Sequence, residues 1–162
     1  FDEVGGFNTA YRNASGEDND LSYQIIKAGY KIFFNKTACV DHVHPTRLIK
    51  YLKEQYRHGY WRVKMYQDHP AMMRGDDYTF WKDIVEIPLV FLTGISFVFL
   101  FLFPVWFNIL IGVSIVFLSI ELFYGLLIAK IFYEGIYLSL LMLMRAFSRA
   151  LGLSSGIMRI SK

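Results

Sequence analysis

Cysteine is nearly absent from this chain of 162 residues, since Cys39 is the only one. A single cysteine excludes a disulfide within the chain and a zinc site built from several thiolates. It lies in the short apolar stretch Ala38-Cys39-Val40, which predicts a buried structural thiol. The formal net charge of +3 is also small and the basic residues form no long run, so we expect no nucleic-acid partner.

Charge is scarce in the second half of the chain. Of the 31 charged residues, 23 lie in the first 83 positions, and residues 87–120 contain none. A run of this length is too long for one membrane span, which needs about 20 residues, and suits two. Pro104, with a neighbouring Trp and Asn, predicts the turn between spans at 84–103 and 105–129. The alternative is a buried helical hairpin of a soluble protein.

The flanks of these two spans predict an orientation. Lys82 precedes the first span, Lys130 follows the second, and the turn between them has no Lys or Arg. By the positive-inside rule, both ends face the cytoplasm, so we expect a multi-pass protein of the cytoplasmic (inner) membrane. Residues 131–151 are apolar but closely bracketed by charge, which favours a helix lying in the membrane interface. A short third span is the alternative.

The first part of the chain reads as a small α/β domain. The acidic stretch Asp18-Asn19-Asp20 precedes an apolar-periodic segment that ends at Gly29, which predicts a helix with an Asx N-cap and a C-terminal glycine. Residues 30–34 and 37–40 are predicted strands. A second helix is expected to open at Pro45-Thr46. It is basic, amphipathic and rich in Tyr and Trp, which suits the lipid headgroup layer.

Two groups of polar residues could carry chemistry. Glu17 and Asp18 lie at a predicted helix start, where the helix dipole keeps a carboxylate ionised, as a general base or a metal ligand requires. Helix capping alone would also explain them. His42 and His44 lie on one side of an extended segment, where two imidazoles could bind a divalent metal or could simply be polar surface.

A glycine turn and an aromatic helix complete the candidates. The Gly5-Gly6-Phe7 turn lets the backbone approach a ligand closely. In the second helix, Arg57 can bind a phosphate through two hydrogen bonds, and Trp61 can stack on a sugar. The alternative for this helix is an interfacial segment with aromatic anchors.

These signals occur in one order at short spacings. They are Phe1-Asp2-Glu3-Val4-Gly5-Gly6-Phe7-Asn8, Gly16-Glu17-Asp18-Asn19-Asp20-Leu21-Ser22, Ala28-Gly29-Tyr30-Lys31-Ile32, Ala38-Cys39-Val40-Asp41-His42 and Gln55-Tyr56-Arg57-His58-Gly59-Tyr60-Trp61. Together they resemble the C-terminal half of a family 2 glycosyltransferase with the A-type nucleotide-sugar fold. The resemblance covers residues 1–66 and is closest to membrane-anchored bacterial enzymes that build exopolysaccharide or lipid-linked glycans.

The resemblance implies a role for each candidate. Asp18 would be the base that deprotonates the acceptor hydroxyl, with Glu17 beside it. The Gly5-Gly6-Phe7 turn would line the donor-sugar and acceptor pocket. His42 would match a histidine that approaches the metal or the diphosphate. The helix from Thr46 would cover the active site.

Gln55, Arg57 and Trp61 resemble the Q-x-x-R-W motif of processive synthases, but their spacing differs, which favours transfer of a single sugar. We expect the N-terminal half of such an enzyme, with its Asp-x-Asp metal motif, to lie outside residues 1–162. The sequence therefore predicts a C-terminal fragment of an inverting glycosyltransferase that uses Mg²⁺ or Mn²⁺, a nucleotide-sugar donor and a lipid-linked or glycan acceptor. The alternatives are a processive polysaccharide synthase and a non-catalytic membrane adaptor with a basic interfacial helix.

The expected organisation has four parts. They are the C-terminal part of the catalytic domain at 1–45, the amphipathic interface helix and linker at 46–83, two transmembrane helices at 84–129, and an interfacial or third membrane helix with a cytoplasmic tail at 130–162.

Overall fold

A computed structural model describes residues 1–12, 15–74 and 81–160. Within these ranges the chain is helical, with five α-helices and two short 3-10 helices and no strand. The α-helices are α1 (Glu17–Lys27), α2 (Leu48–Asp68), α3 (Trp81–Phe99), α4 (Val105–Ile128) and α5 (Phe132–Ile160), and the 3-10 helices are Asp2–Val4 and Pro70–Arg74. The chain divides into two compact units. The first unit is Phe1–Met73 with Gly152–Lys162, and the second unit is Arg74–Leu151.

The expected α/β fold is wrong for the part of the chain that the structure describes. Residues 30–34 have no regular secondary structure and residues 37–40 begin in a turn, so neither segment forms a strand within the described ranges. A strand needs a neighbour to satisfy its N–H and C=O groups, so the β-type pattern alone does not make a sheet. Phe33 and Phe34 stay 84% and 88% exposed. Cys39, expected to be buried, is exposed as well.

α1 follows the sequence prediction at its end more closely than at its start. Gly29 adopts φ +86° after the last turn, the Gly29 N–H donates to Ile26 O and the Tyr30 N–H donates to Ile25 O. This is the Schellman arrangement, in which a glycine closes the helix. At the other end the cap is Gly16 with φ +115°, without a side-chain cap bond. The acidic residues therefore occupy the first turn instead of capping it.

The first unit is held together by contacts between α1, α2 and the segment before α1. Asp20 is 1% exposed, and its Oδ1 lies 2.7 Å from His69 Nε2 just after α2. Its Oδ2 accepts a 2.6 Å hydrogen bond from Gln24 Nε2. The ring of Trp61 packs 5.5 Å from the ring of Tyr11, and both side chains are buried. These contacts fix the start of α1 beside one face of α2.

The second unit contains α3, α4 and most of α5 around a small apolar core of Val90, Phe117, Ala146 and Ala150. Two helices are long and apolar enough to cross a membrane, α4 and the stretch Phe132–Arg159 of α5. α4 agrees with the second predicted span to within a residue. α5 has 29 residues and is longer than the short third span that the sequence left as the alternative for residues 131–151. α3 begins three residues before the first predicted span, and its first two turns carry charge.

A buried ion cluster joins the helices of the second unit. It contains three cations and three anions, which are Lys82, Arg145, Arg149, Asp83, Glu86 and Glu121. Lys82 Nζ lies 2.8 Å from Glu86 Oε2 and 2.7 Å from Glu121 Oε2. Arg145 Nη2 lies 3.0 Å from Glu86 Oε2 and 3.1 Å from Asp83 Oδ1. Lys82, Glu86 and Glu121 are at most 5% exposed, and charges this deeply buried are tolerated only because each has a partner of opposite sign.

Candidate functional site

A cavity of about 230 Å³ lies in the first unit between the start of α1 and one face of α2. The residues that line it from the α1 side are Ser15, Gly16, Glu17, Asp18 and Asn19, and those from α2 are His58, Arg62 and Met65. The folding of the chain thus brings the acidic stretch against a helix that begins some 30 residues later. Glu17 and Asp18, the candidates for acid–base chemistry, therefore line this cavity.

The two acidic side chains at the cavity have different surroundings. Glu17 Oε2 accepts a 2.6 Å hydrogen bond from the Ser15 N–H, so this carboxylate closes the loop that enters α1. The Asp18 side chain is exposed, and its Oδ1 accepts a 2.8 Å hydrogen bond from the Asn19 N–H. Both lie in the first turn of α1. Asp18 is therefore the carboxylate that remains open to water and to a substrate.

The third carboxylate of the acidic stretch points into the protein. Asp20 binds His69 and Gln24 and serves to anchor α1. Nearby, burial raises the pKa of the Tyr11 hydroxyl above its ordinary value, and the charges of Asp20 and Asp68 add to that shift. Within the acidic stretch, Asp20 is thus a buried structural carboxylate, whereas Asp18 is exposed at the cavity.

α2 contributes two cationic or ionisable side chains opposite the carboxylates. His58 Nδ1 lies 3.2 Å from Ser15 Oγ, where the tautomer decides which atom donates. Arg62 Nε donates a 3.1 Å hydrogen bond to the Tyr66 hydroxyl one turn later. Sequence reasoning missed both residues because it chose Arg57. The signal was present, since positions 58, 62 and 65 recur at the spacing of one helix face.

The residues of α2 that the sequence did select do not line the cavity. Gln55 and Trp61 are buried. The ring of Trp61 packs against the rings of Tyr11 and Tyr60, at 5.5 Å and 5.2 Å between centroids. Arg57 is half-buried, and one residue of helix rotates it about 100° from His58. The Trp61 ring thus packs against rings of the protein itself in this structure.

The glycine turn forms as predicted but lies apart from the cavity lining. Gly5 and Gly6 both have positive φ, of 83° and 70°. The half-exposed Phe7 ring meets the Phe1 ring edge-on at 5.6 Å. Near the turn, the Tyr30 hydroxyl donates a hydrogen bond to the Glu3 carboxylate, which raises the pKa of Tyr30.

The histidine pair offers two ligands for a metal. The rings of His42 and His44 lie 4.4 Å apart and are exposed on a segment without regular secondary structure. Among the residues that the structure describes, no group of three or more His, Cys, Asp or Glu side chains is placed to hold a metal ion. These residues on their own therefore do not fit a complete metal centre.

Comparison with known proteins finds no relative whose role could suggest one for this chain. A scan against protein-family models and searches of curated proteins and of solved structures found no match to this chain.

Proposed function

We propose that the chain takes part in the transfer of a sugar from a nucleotide-sugar donor to an acceptor hydroxyl, with Asp18 as the general base. The observation that carries the proposal is the position of Asp18 at a cavity whose opposite wall holds His58 and Arg62. The displacement needs a carboxylate that takes the proton from the acceptor and a cation that stabilises the leaving group. An exposed carboxylate and a guanidinium on opposite walls of a small cavity meet both needs. The order of motifs in residues 1–66 supports the same chemistry.

The proposed reaction is a single displacement at the anomeric carbon. Asp18 takes the proton from the acceptor hydroxyl, and the acceptor oxygen forms the new bond to the anomeric carbon. The bond from that carbon to the diphosphate oxygen breaks, and the nucleoside diphosphate leaves with the electron pair, so the configuration inverts. Arg62 and His58 would stabilise the negative charge on the leaving diphosphate, a task for which a guanidinium is well suited.

A divalent ion, Mg²⁺ or Mn²⁺, stays a prediction. His42 and His44 could provide two ligands, and the described part of the chain assembles no third one beside them. No step of the proposed reaction is therefore assigned to a metal.

We place this chemistry at the cytoplasmic face of the inner membrane, in a multi-pass protein with a lipid-linked acceptor. Supporting this, α4 and α5 are long enough to cross a bilayer. The first 83 residues carry 12 of the 17 Lys and Arg residues, which favours a cytoplasmic first unit by the positive-inside rule. The basic face of α2 suits an anionic headgroup layer. The uneven spacing of Gln55, Arg57 and Trp61 favours single-sugar transfer over a processive synthase.

The test is Asp18→Asn, with Asp68→Asn as the matched control. Both variants remove one exposed carboxylate of the first unit, but Asp68 pairs with Lys64 and does not line the cavity. We expect Asp18→Asn in the protein within its native membrane to lose about 10²- to 10⁴-fold in transfer rate, because an amide cannot take the proton. Donor binding should persist, and Asp68→Asn should retain normal turnover.

Near-normal transfer by Asp18→Asn would contradict the assignment of the base. If no transfer is measurable even for the unmodified protein, while both variants support its cellular function, a non-catalytic adaptor becomes the better account.

A further inference from the structure

The last turns of α5 lie directly against α2 within the first unit, at Gly152 and Gly156. Both glycines are buried. A Cβ added at Gly152 would lie 2.0 Å from the carbonyl oxygen of Tyr56, and one at Gly156 would lie 2.5 Å from that of Tyr60. Ordinary contacts between heavy atoms begin at about 3.5 Å, so the two helix backbones touch where these glycines stand.

Glycine in a helix interior costs about 0.5–1 kcal/mol relative to alanine. Two glycines one turn apart on a 29-residue helix therefore need a local reason. The contact with Tyr56 and Tyr60 provides it, because those residues are also one turn apart and any larger side chain would separate the helices. The contact includes one side chain, Val63, whose Cγ2 would lie 2.8 Å from a Cβ at Gly156.

The cavity lies on the other side of α2. At about 100° per residue, the face with Tyr56, Tyr60 and Val63 and the face that lines the cavity centre on roughly opposite sides of the helix. The cavity face carries His58, Arg62 and Met65. α2 therefore lies between the terminal turns of α5 and the candidate site, and its position between them decides how far His58 and Arg62 lie from the start of α1.

We propose that Gly152 and Gly156 are positioning residues. By allowing α5 to touch the backbone of α2, they set the distance between the α2 wall of the cavity and Asp18. A methyl group at either position would have to move one helix by about 1 Å, and a misplacement of that size can cost about 10²-fold in rate. This inference rests on the proposed function for its effect on rate, but the geometric part stands without it.

The test uses Gly152→Ala and Gly156→Ala in the membrane-embedded protein. Gly94→Ala and Gly112→Ala are matched controls, because these are also helical glycines and a Cβ there meets nothing within 4 Å.

The first readout is the rate of disulfide formation, which is independent of activity. Cysteines at Ser15 and His58, whose side chains lie 3.2 Å apart, are oxidised to a disulfide in a Cys39→Ser background. We expect at least a tenfold change in the rate of disulfide formation in the glycine variants and none in the controls.

The second readout is kcat for sugar transfer, measured without the introduced cysteines. We expect a loss of about 10²-fold for Gly152→Ala and a smaller loss for Gly156→Ala, since its clash is milder. Adding Val63→Ala should restore part of the loss in Gly156→Ala, because it removes one of the two clashing groups, and none in Gly152→Ala. A general loss of folded protein would not produce this selective rescue.

Disulfide formation at the control rate in both glycine variants would show that α5 moves away and leaves the cavity unchanged, which overturns the proposal. If Gly152→Ala does not fold, Gly156→Ala with and without Val63→Ala decides the question. If the disulfide rate changes but Asp18→Asn transfers sugar normally, the positioning role holds and the proposed function fails.

Discussion

Lys82→Met should be among the most destabilising single changes in the second unit. Lys82 Nζ lies within 3 Å of both Glu86 and Glu121, and the Lys82 side chain is 5% exposed. Met has nearly the same length, so the change removes the charge without opening a large cavity. Glu121, which is 1% exposed, then loses the ammonium that touches both of its carboxylate oxygens. Breaking a buried ion pair on one side typically costs about 3–5 kcal/mol.

The assay is alkylation of a buried thiol in detergent micelles, with Ser96→Cys as the probe and Cys39→Ser as background. Ser96 is 0% exposed, lies in the same unit and is about 21 Å along α3 from Lys82. If labelling follows opening of the unit, Lys82→Met should accelerate it by about 10²- to 4 × 10³-fold. Lys64→Met is the control, since the Lys64–Asp68 pair is half-exposed and should change labelling by less than about fivefold.

A second change refines the test. Adding Glu121→Gln to Lys82→Met restores the balance of charges, with Arg145 and Arg149 still facing Asp83 and Glu86. Most of the lost protection should return, because no carboxylate is left without its cation. The reasoning is refuted if the double variant labels as fast as Lys82→Met, or if Lys82→Met labels no faster than Lys64→Met.

Two further predictions concern pH and topology. Above pH 10 the folded chain keeps the proton on the Tyr11 hydroxyl, whereas the unfolded chain releases it. The free energy of unfolding should therefore fall as pH rises above 10, by up to about 1.4 kcal/mol per pH unit. Tyr11→Phe should flatten that fall in an alkaline denaturation series, and equal slopes would contradict the burial of the hydroxyl. A single crossing by α4 puts Asn108 and Lys130 on opposite sides, so in Cys39→Ser cells an impermeant thiol reagent should label one of Asn108→Cys and Lys130→Cys from outside and the other only after lysis. Labelling of both positions in intact cells would refute a crossing by α4.

Local sequence signals predicted the elements whose reasons are local. The glycine that ends α1 and the proline before α4 both act within a turn of their own position. The strand prediction failed because a strand depends on a partner elsewhere, and the pattern of residues 30–34 says nothing about whether one is present. The length of α5 was underestimated because Arg145 and Arg149 looked like the end of an apolar stretch. In the structure both pair with Asp83 and Glu86.

The candidate site was predicted on the α1 side and largely missed on α2. The acidic residues stand out in sequence because three carboxylates fall within four positions. On α2, a motif resemblance drew attention to Arg57 and Trp61, whereas helix periodicity would have selected His58 and Arg62 as one face. Which face turns toward α1 is decided by long-range contacts such as Asp20 with His69, which no local pattern contains.

Residues 30–44 form no regular secondary structure, which has a consequence for the chain in concentrated solution. They expose apolar side chains such as Val40 and Val43, each 90% exposed, and an exposed segment of high β-propensity is a template for self-association. Lys27, Lys31 and Lys36 flank or interrupt the apolar positions and act as gatekeepers, because copies stacked in register would bring like charges together. That protection is electrostatic and has a short range, about 10 Å in 0.1 M salt. Colloidal stability should therefore decline as ionic strength rises, while the helices themselves remain unaffected.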